Sequence, residues 1–207
     1  MKAINTMIWL SIFFLFGQNA GFATAPRTIG GLVLGGNIDD FKEKLKLETD
    51  QPIRFKEYLR EVQIKHIPGY KSGVVWYTAQ GETRQIVRIK LKYEDSSRSF
   101  YDALLKQFAK RFGKPDQWRG DCFDVFIAWK WTFRNSEKDR ISMILQHNIK
   151  DLDKKIGNNI KLTMWNLIEE ERRMFEEKQQ ETQKTVEKQS GVPPSAKSLN
   201  WEVFLPR

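Results

Sequence analysis

Few residues in this chain are equipped for covalent or metal chemistry. It has one cysteine, Cys122, and two histidines, His66 and His147, in 207 residues. Asp121 and Asp124 stand close to Cys122. Metal sites legible in a sequence space their ligands: C-x-x-C for thiolates, or H-E-x-x-H to put two imidazoles on one helix face. Neither spacing occurs. Asp121-Cys122-x-Asp124 therefore reads as a turn acid leading into a strand, with a small buried thiol. No metal and no cofactor are expected. An activated serine needs G-x-S-x-G, whereas Gly69-Tyr70-Lys71-Ser72-Gly73 sets the serine one place too late. A Cys122–His147 pair stays open, because nucleophile and base are commonly distant in sequence. A pair of carboxylates stays open too, but nothing among the 26 Asp and Glu anchors one. Gly30, Gly31, Gly35 and Gly36 come in pairs that match no phosphate-binding loop, so the segment reads as backbone packing.

Charge is the stronger signal. The 35 Lys and Arg exceed the acids, for a formal net charge of +9. Arg84, Arg88, Lys90 and Lys92 fall on one side of the run Arg84 to Tyr93, opposite Val87, Ile89, Leu91 and Tyr93. Lys65, Lys130 and Lys161 stand in the same relation to the apolar residues of their own runs. If helices cover one face of a sheet, these cations gather on the other, with Tyr77, Phe126 and Trp165. Arg84, Arg88, Lys90, Lys92, Lys130 and Lys161 are the candidate binding residues. Such a face suits an anionic or carbohydrate surface. The same pattern also serves as a plain solvated face of an antiparallel sheet. Trp129, Trp131 and Phe133 alternate with polar residues among aliphatics, which reads as core rather than as a sugar-stacking platform.

The elements that must position these residues follow from periodicity. Asn37 is placed to cap a helix carrying Ile38, Phe41 and Leu45. From Glu48 to Arg60 there is no clean period. Strands are expected around Val62–His66, Gly73–Thr78 and Arg84–Tyr93, the last two joined at Gln80-Gly81-Glu82. A central helix carries Phe100, Leu104, Phe108 and Phe112, capped near Ser97 and stopped by Gly113 and Pro115. Strands follow at Val125–Phe133, Ile141–Gln146 and Ile160–Met164, with a turn at Asn135–Asp139. Asn166 with Glu169 reads as a capping box for a last helix, and Glu169, Glu170 and Glu171 suit its N-terminal dipole. Beyond Phe175 that helix is polar all round and projects. The fold class is α+β: an antiparallel sheet with helices on one face. A helix followed by three strands occurs twice, which admits a tandem duplication.

Residues 1–23 read as a cleaved signal peptide. Lys2 is the only charge before Arg27, and Met7 to Gly17 is apolar but too short to span a bilayer. Small residues lead to a cut after Ala23. The globular domain is then 29–168, a polar helix 169–189, and a linker and tail 190–207 with an apolar end, Trp201 to Leu205. The expected location is periplasmic or secreted. No transmembrane segment remains after cleavage, and nucleic acid is an improbable partner in that compartment.

Arg88-Ile89-Lys90-Leu91-Lys92-Tyr93, Arg111-Phe112-Gly113-Lys114-Pro115, Trp118-Arg119-Gly120-Asp121 and Ala128-Trp129-Lys130-Trp131 together resemble a family of exported bacterial proteins without assigned activity. The resemblance spans about Gly31 to Lys178 and implies export and a compact domain. The helix–Phe-Gly-x-Pro–strand element is also similar to modules of the β-lactamase-inhibitor-like fold and of small outer-membrane assembly proteins, which bind other proteins. These observations lead to the expectation of a non-enzymatic binding module. Its partner would be an envelope protein or an anionic envelope polymer, met through the basic face, the tail or both. The alternative is an envelope-acting hydrolase whose site is not identified; a cleft bringing Cys122 or His147 next to a carboxylate would be its mark.

Overall fold

The computed structural model describes residues 24–121, 125–134, 139–148 and 157–190, with side chains of the last helix followed to residue 183. The expected signal peptide, Cys122 and Asp124, most of the Asn135–Asp139 turn, and the linker and tail lie outside the described residues.

A two-stranded ribbon, β1 (Thr28–Ile29) and β2 (Leu32–Val33), opens the chain. A 3-10 helix, Ile38–Lys44, follows, with the Asn37 side chain accepting from Asp39 N–H as its cap. A meander comes next: β3 (Leu45–Ile53), β4 (Lys56–Ile64), β5 (Tyr70–Thr78) and β6 (Ile86–Tyr93). Helix α1 (Arg98–Phe112) leads to a second meander: β7 (Gln117–Trp118), β8 (Phe126–Arg134), β9 (Arg140–Asn148) and β10 (Gly157–Met164). Helix α2 runs Trp165–Ser190. The strands form one eight-stranded antiparallel sheet in the order β3-β4-β5-β6-β10-β9-β8-β7. Each meander contributes its last strand to the centre and its first strand to an edge. A helix precedes each meander, so the tandem unit is a helix and four strands rather than three.

The added strands were hidden at the edges. β3 pairs with β4 through register shifts between Lys46 and Gln51 and at Pro52, and much of it is exposed. A bulged edge strand has no fixed inner face, so its alternation disappears. β7 is only two residues long.

The main core lies on the face covered by the 3-10 helix and α1. Ile89, Leu91 and Tyr93 of β6 meet Ile160 and Leu162 of β10 and Met143 and Leu145 of β9 there. Phe100, Leu104, Leu105, Phe108 and Phe112 of α1 pack against them. Trp131 is 2% exposed and donates its indole N–H to Gly113 O at 2.8 Å, which fastens the end of α1 to β8. Its start is fastened by Asn158, whose amide donates to Asp95 O and Ser97 O. That leaves Asn158 Oδ1 as the acceptor for His147 Nδ1, at 2.6 Å.

A bulge in β6 changes the expected faces. Trp76 opposes Arg88, but Tyr77 opposes Ile86, so Val87 is the extra residue. Ile86 turns to the main core, whereas Val87 joins a second cluster with Leu59 and Ile168. That cluster lies on the opposite face and is covered by the first turns of α2. Trp165 donates to Ser142 Oγ at 2.8 Å, and Phe175 meets Tyr58 with ring centroids 5.9 Å apart. Beyond Phe175 the described helix residues are exposed. Among the described residues no helix is long and apolar enough to cross a membrane.

The expected capping box is not formed. Trp165 already belongs to α2, and Asn166 Oδ1 accepts from Arg140 N–H instead. Glu169 pairs with Arg140. Glu171 is 1% exposed and accepts from the backbone N–H groups of Ala79, at 2.6 Å, and Gln80. The dipole reading of Glu171 missed this contact because its partners lie more than ninety positions away.

Candidate functional site: a basic sheet face

The sheet face left open beside α2 is built by cross-strand register. Val74, Lys90, Lys161, Ile144 and Lys130 follow one another across five strands. Ser72, Lys92, Asn159 and Gln146 form the next row. Period-2 alternation places all of these opposite the core residues of the same strands. Lys90, Lys92, Lys130 and Lys161 thus come together as expected.

Arg88 and Arg84 do not join that open patch. Arg88 is half-buried, with Nε donating to Thr163 Oγ1 at 3.0 Å and its guanidinium 3.9 Å from the Trp76 ring centroid. Trp165 covers it at 5.8 Å. Burial pushes its pKa down to about 10. It clamps α2 to the sheet. Arg84 precedes β6, pairs with Asp39 beside the 3-10 helix and approaches the Tyr77 ring at 5.9 Å. The bulge at Val87 breaks the alternation that would have aligned Arg84 with Arg88. Tyr77 is likewise a core residue, 2% exposed, and not part of the basic face.

Lys161 is the most unusual cation. It is partly buried, with Arg88, Lys90 and Arg119 near enough to oppose its charge. Burial, reinforced by those three cations, pushes its pKa down to about 8. Lys92 is lowered as well, by burial first and then by Lys71 and Lys90.

At the β3–β6 end of this face lies a cavity of about 450 Å³. Lys46, Lys65, Lys71, Lys90 and Lys92 line it, and no carboxylate does. Asn159 also lines it. This residue is 2% exposed, and its Nδ2 has no hydrogen-bond partner among the described residues. Lys46, Lys71 and Asn159 escaped the sequence reading. Lys46 sits on the bulged edge strand, Lys71 precedes the apolar part of β5, and Asn158-Asn159 after Gly157 looked like a turn. Alternation read backwards from Lys161 would have put Asn159 on the basic face.

Cys122 lies outside the described residues, so of the Cys122–His147 pair His147 alone is placed. His147 is 2% exposed on the other face, bonded to Asn158 and stacked near Tyr101 at 5.3 Å. Asp121 accepts from the N–H groups of Val125 and Phe126, closing its own loop. Among the described residues no three His, Cys, Asp or Glu come together as metal ligands. His66 lines the lysine cavity.

Neither a protein-family model, nor a curated protein, nor a solved structure matches this chain.

Proposed function

We propose that this protein is an exported, non-enzymatic binding module of the cell envelope that holds a protein or anionic envelope component against its basic sheet face. The observation that carries the reading is the open row of Lys90, Lys161 and Lys130, whose Lys90 also lines a cavity with four further lysines and no carboxylate. Sheet cations made only for solubility point into water and cost little. Lys161 is instead held half-buried beside other cations, which is unfavourable until an anion arrives. The apolar leader before Ala23 supports a periplasmic or secreted location.

The test is binding of the purified protein to isolated envelope fractions at rising salt. Binding should fall with salt, because exposed charge pairs are screened. The triple variant Lys90→Gln, Lys92→Gln, Lys130→Gln should bind at least about tenfold more weakly, since charge-assisted contacts contribute about 1.5–3 kcal/mol each. Retention that is insensitive to both salt and the triple variant would remove the basic face from the function.

A further inference from the structure

We infer that the cavity at the β3–β6 end of the sheet is a site for a compact ligand carrying two or more phosphate groups, held by its rim lysines and by Asn159 Nδ2 on the sheet floor. The inference rests on the basic-face reading and deepens it to one place and one ligand chemistry.

Four observations converge. The volume, about 450 Å³, falls in the range of small-molecule sites, which is about 300–1,000 Å³. The lining brings Lys46, Lys65, Lys71, Lys90 and Lys92 together with no carboxylate. Among the described residues, Lys46, Lys65, Lys71 and Lys90 form no ion pair with any acid. Asn159 offers a buried N–H donor with nothing to receive it. Buried donors in folded proteins nearly always have partners, so an orphan on a cavity floor marks the place of a missing acceptor.

The cations suit a phosphate ligand. Both arginine and lysine bind phosphate, and lysine ammonium groups are compact point charges that can gather round a tetrahedral anion from several sides. Here the cavity uses lysine throughout; the nearby Arg88 is turned under Trp165. The four ammonium groups of Lys46, Lys65, Lys71 and Lys90 already exceed what one phosphate neutralises, which calls for a ligand with at least two. Burial lowers the pKa of Lys92 first, and repulsion from Lys71 and Lys90 lowers it further; such a ligand relieves that repulsion.

Phosphate pairs of this kind occur on free phosphorylated metabolites and on lipid headgroups. The experiment is calorimetric titration of the full chain with inorganic tripolyphosphate, followed by competition with phosphatidylcholine vesicles, plain or containing cardiolipin. The wild type should bind tripolyphosphate. Lys71→Gln and Lys90→Gln should each raise the dissociation constant about tenfold. Asn159→Asp, which puts a carboxylate on the floor, should abolish binding. Lys106→Gln, exposed on α1 across the sheet from the cavity, should leave it within about twofold. If Asn159→Asp fails to fold by circular dichroism, the two exposed lysine variants decide. Competition by cardiolipin vesicles alone assigns the site to a headgroup, and its absence assigns it to a soluble ligand; either outcome supports the site. No binding of tripolyphosphate overturns the inference. So does equal weakening by Lys106→Gln and the cavity variants, but that result leaves the broader basic-face reading standing. Envelope retention that ignores salt and the triple variant, together with cavity-specific tripolyphosphate binding, would sink only the broader reading.

Discussion

Lys161 shows most directly how position sets a residue's behaviour. Its sequence neighbours, Ile160 and Leu162, are core residues, so the strand cannot rotate to release it. Its ammonium group stays on the second face, half-buried beside Arg88, Lys90 and Arg119. Because its folded pKa, about 8, is below the ordinary 10.5, the unfolded chain holds this proton more tightly than the folded one. The penalty is therefore present in full below pH 8 and is relieved as pH rises towards 10.5. Lys161→Met should raise stability near neutral pH by about 1 kcal/mol, allowing for screening at a site that is only half-buried. It should also flatten the rise in stability between pH 8 and 10.5. Chemical denaturation of both proteins across that range checks this; equal slopes would show that Lys161 carries no such strain.

Among the elements, α2 matters most to the site because it decides how much of the basic face is open. Its docking depends on a small set of contacts: Trp165 with Ser142, Ile168 with Leu59 and Val87, and Glu171 with the turn after β5. The Glu171 contact is charge-assisted and buried, so removing it leaves the N–H of Gln80 unsatisfied and that of Ala79 with only its 3.2 Å bond to Tyr58 O. Glu171→Ala should cost about 1.5–3 kcal/mol. Hydrogen exchange at Ala79 and Gln80 should accelerate with it, whereas exchange in β8 and β9 should follow only the global change. Unchanged protection at those two amides would mean that α2 docks without this residue. Arg88 belongs to the same unit. Its stack between Trp76 and Trp165 turns a predicted ligand contact into a clamp for the helix.

At the scale of the whole molecule, the two meanders are joined in one sheet, among the described residues, by the pairing of β6 with β10. That seam carries five register pairs, from Asn159–Lys92 to Thr163–Arg88. On one side it holds the core residues Leu91, Ile89, Ile160 and Leu162; on the other it holds the lysines of the site. The halves therefore share a core and should unfold together. Leu91→Ala removes a fully buried side chain from the seam and should cost about 2–5 kcal/mol. Thermal unfolding followed by tryptophan fluorescence and by far-ultraviolet circular dichroism should give coincident transitions before and after the substitution. Separate transitions would show that each meander is its own folding unit.

Much of this architecture was legible in the sequence. The alternation of Ile89, Leu91 and Tyr93, the four-residue repeat of Phe100, Leu104, Phe108 and Phe112, and the stop at Gly113 and Pro115 each encode an element, because one face of each is buried in a single core. The core role of Trp131 followed from the same alternation. Local pattern failed where burial was absent or two-sided: the bulged edge strand β3, the extra residue Val87, and the Gly157-Asn158-Asn159 start of β10. Local pattern also could not assign partners across the chain. Which lysines share a face was decided by strand order, which places β10 beside β6 although some seventy residues separate them. Period-2 alternation fixes which side of its own strand a residue occupies, so the cations were visible from sequence alone. Only the tertiary pairing could bring Lys90 beside Lys161, set Asn159 under the lysine rim, and turn Arg84 and Arg88 away from it.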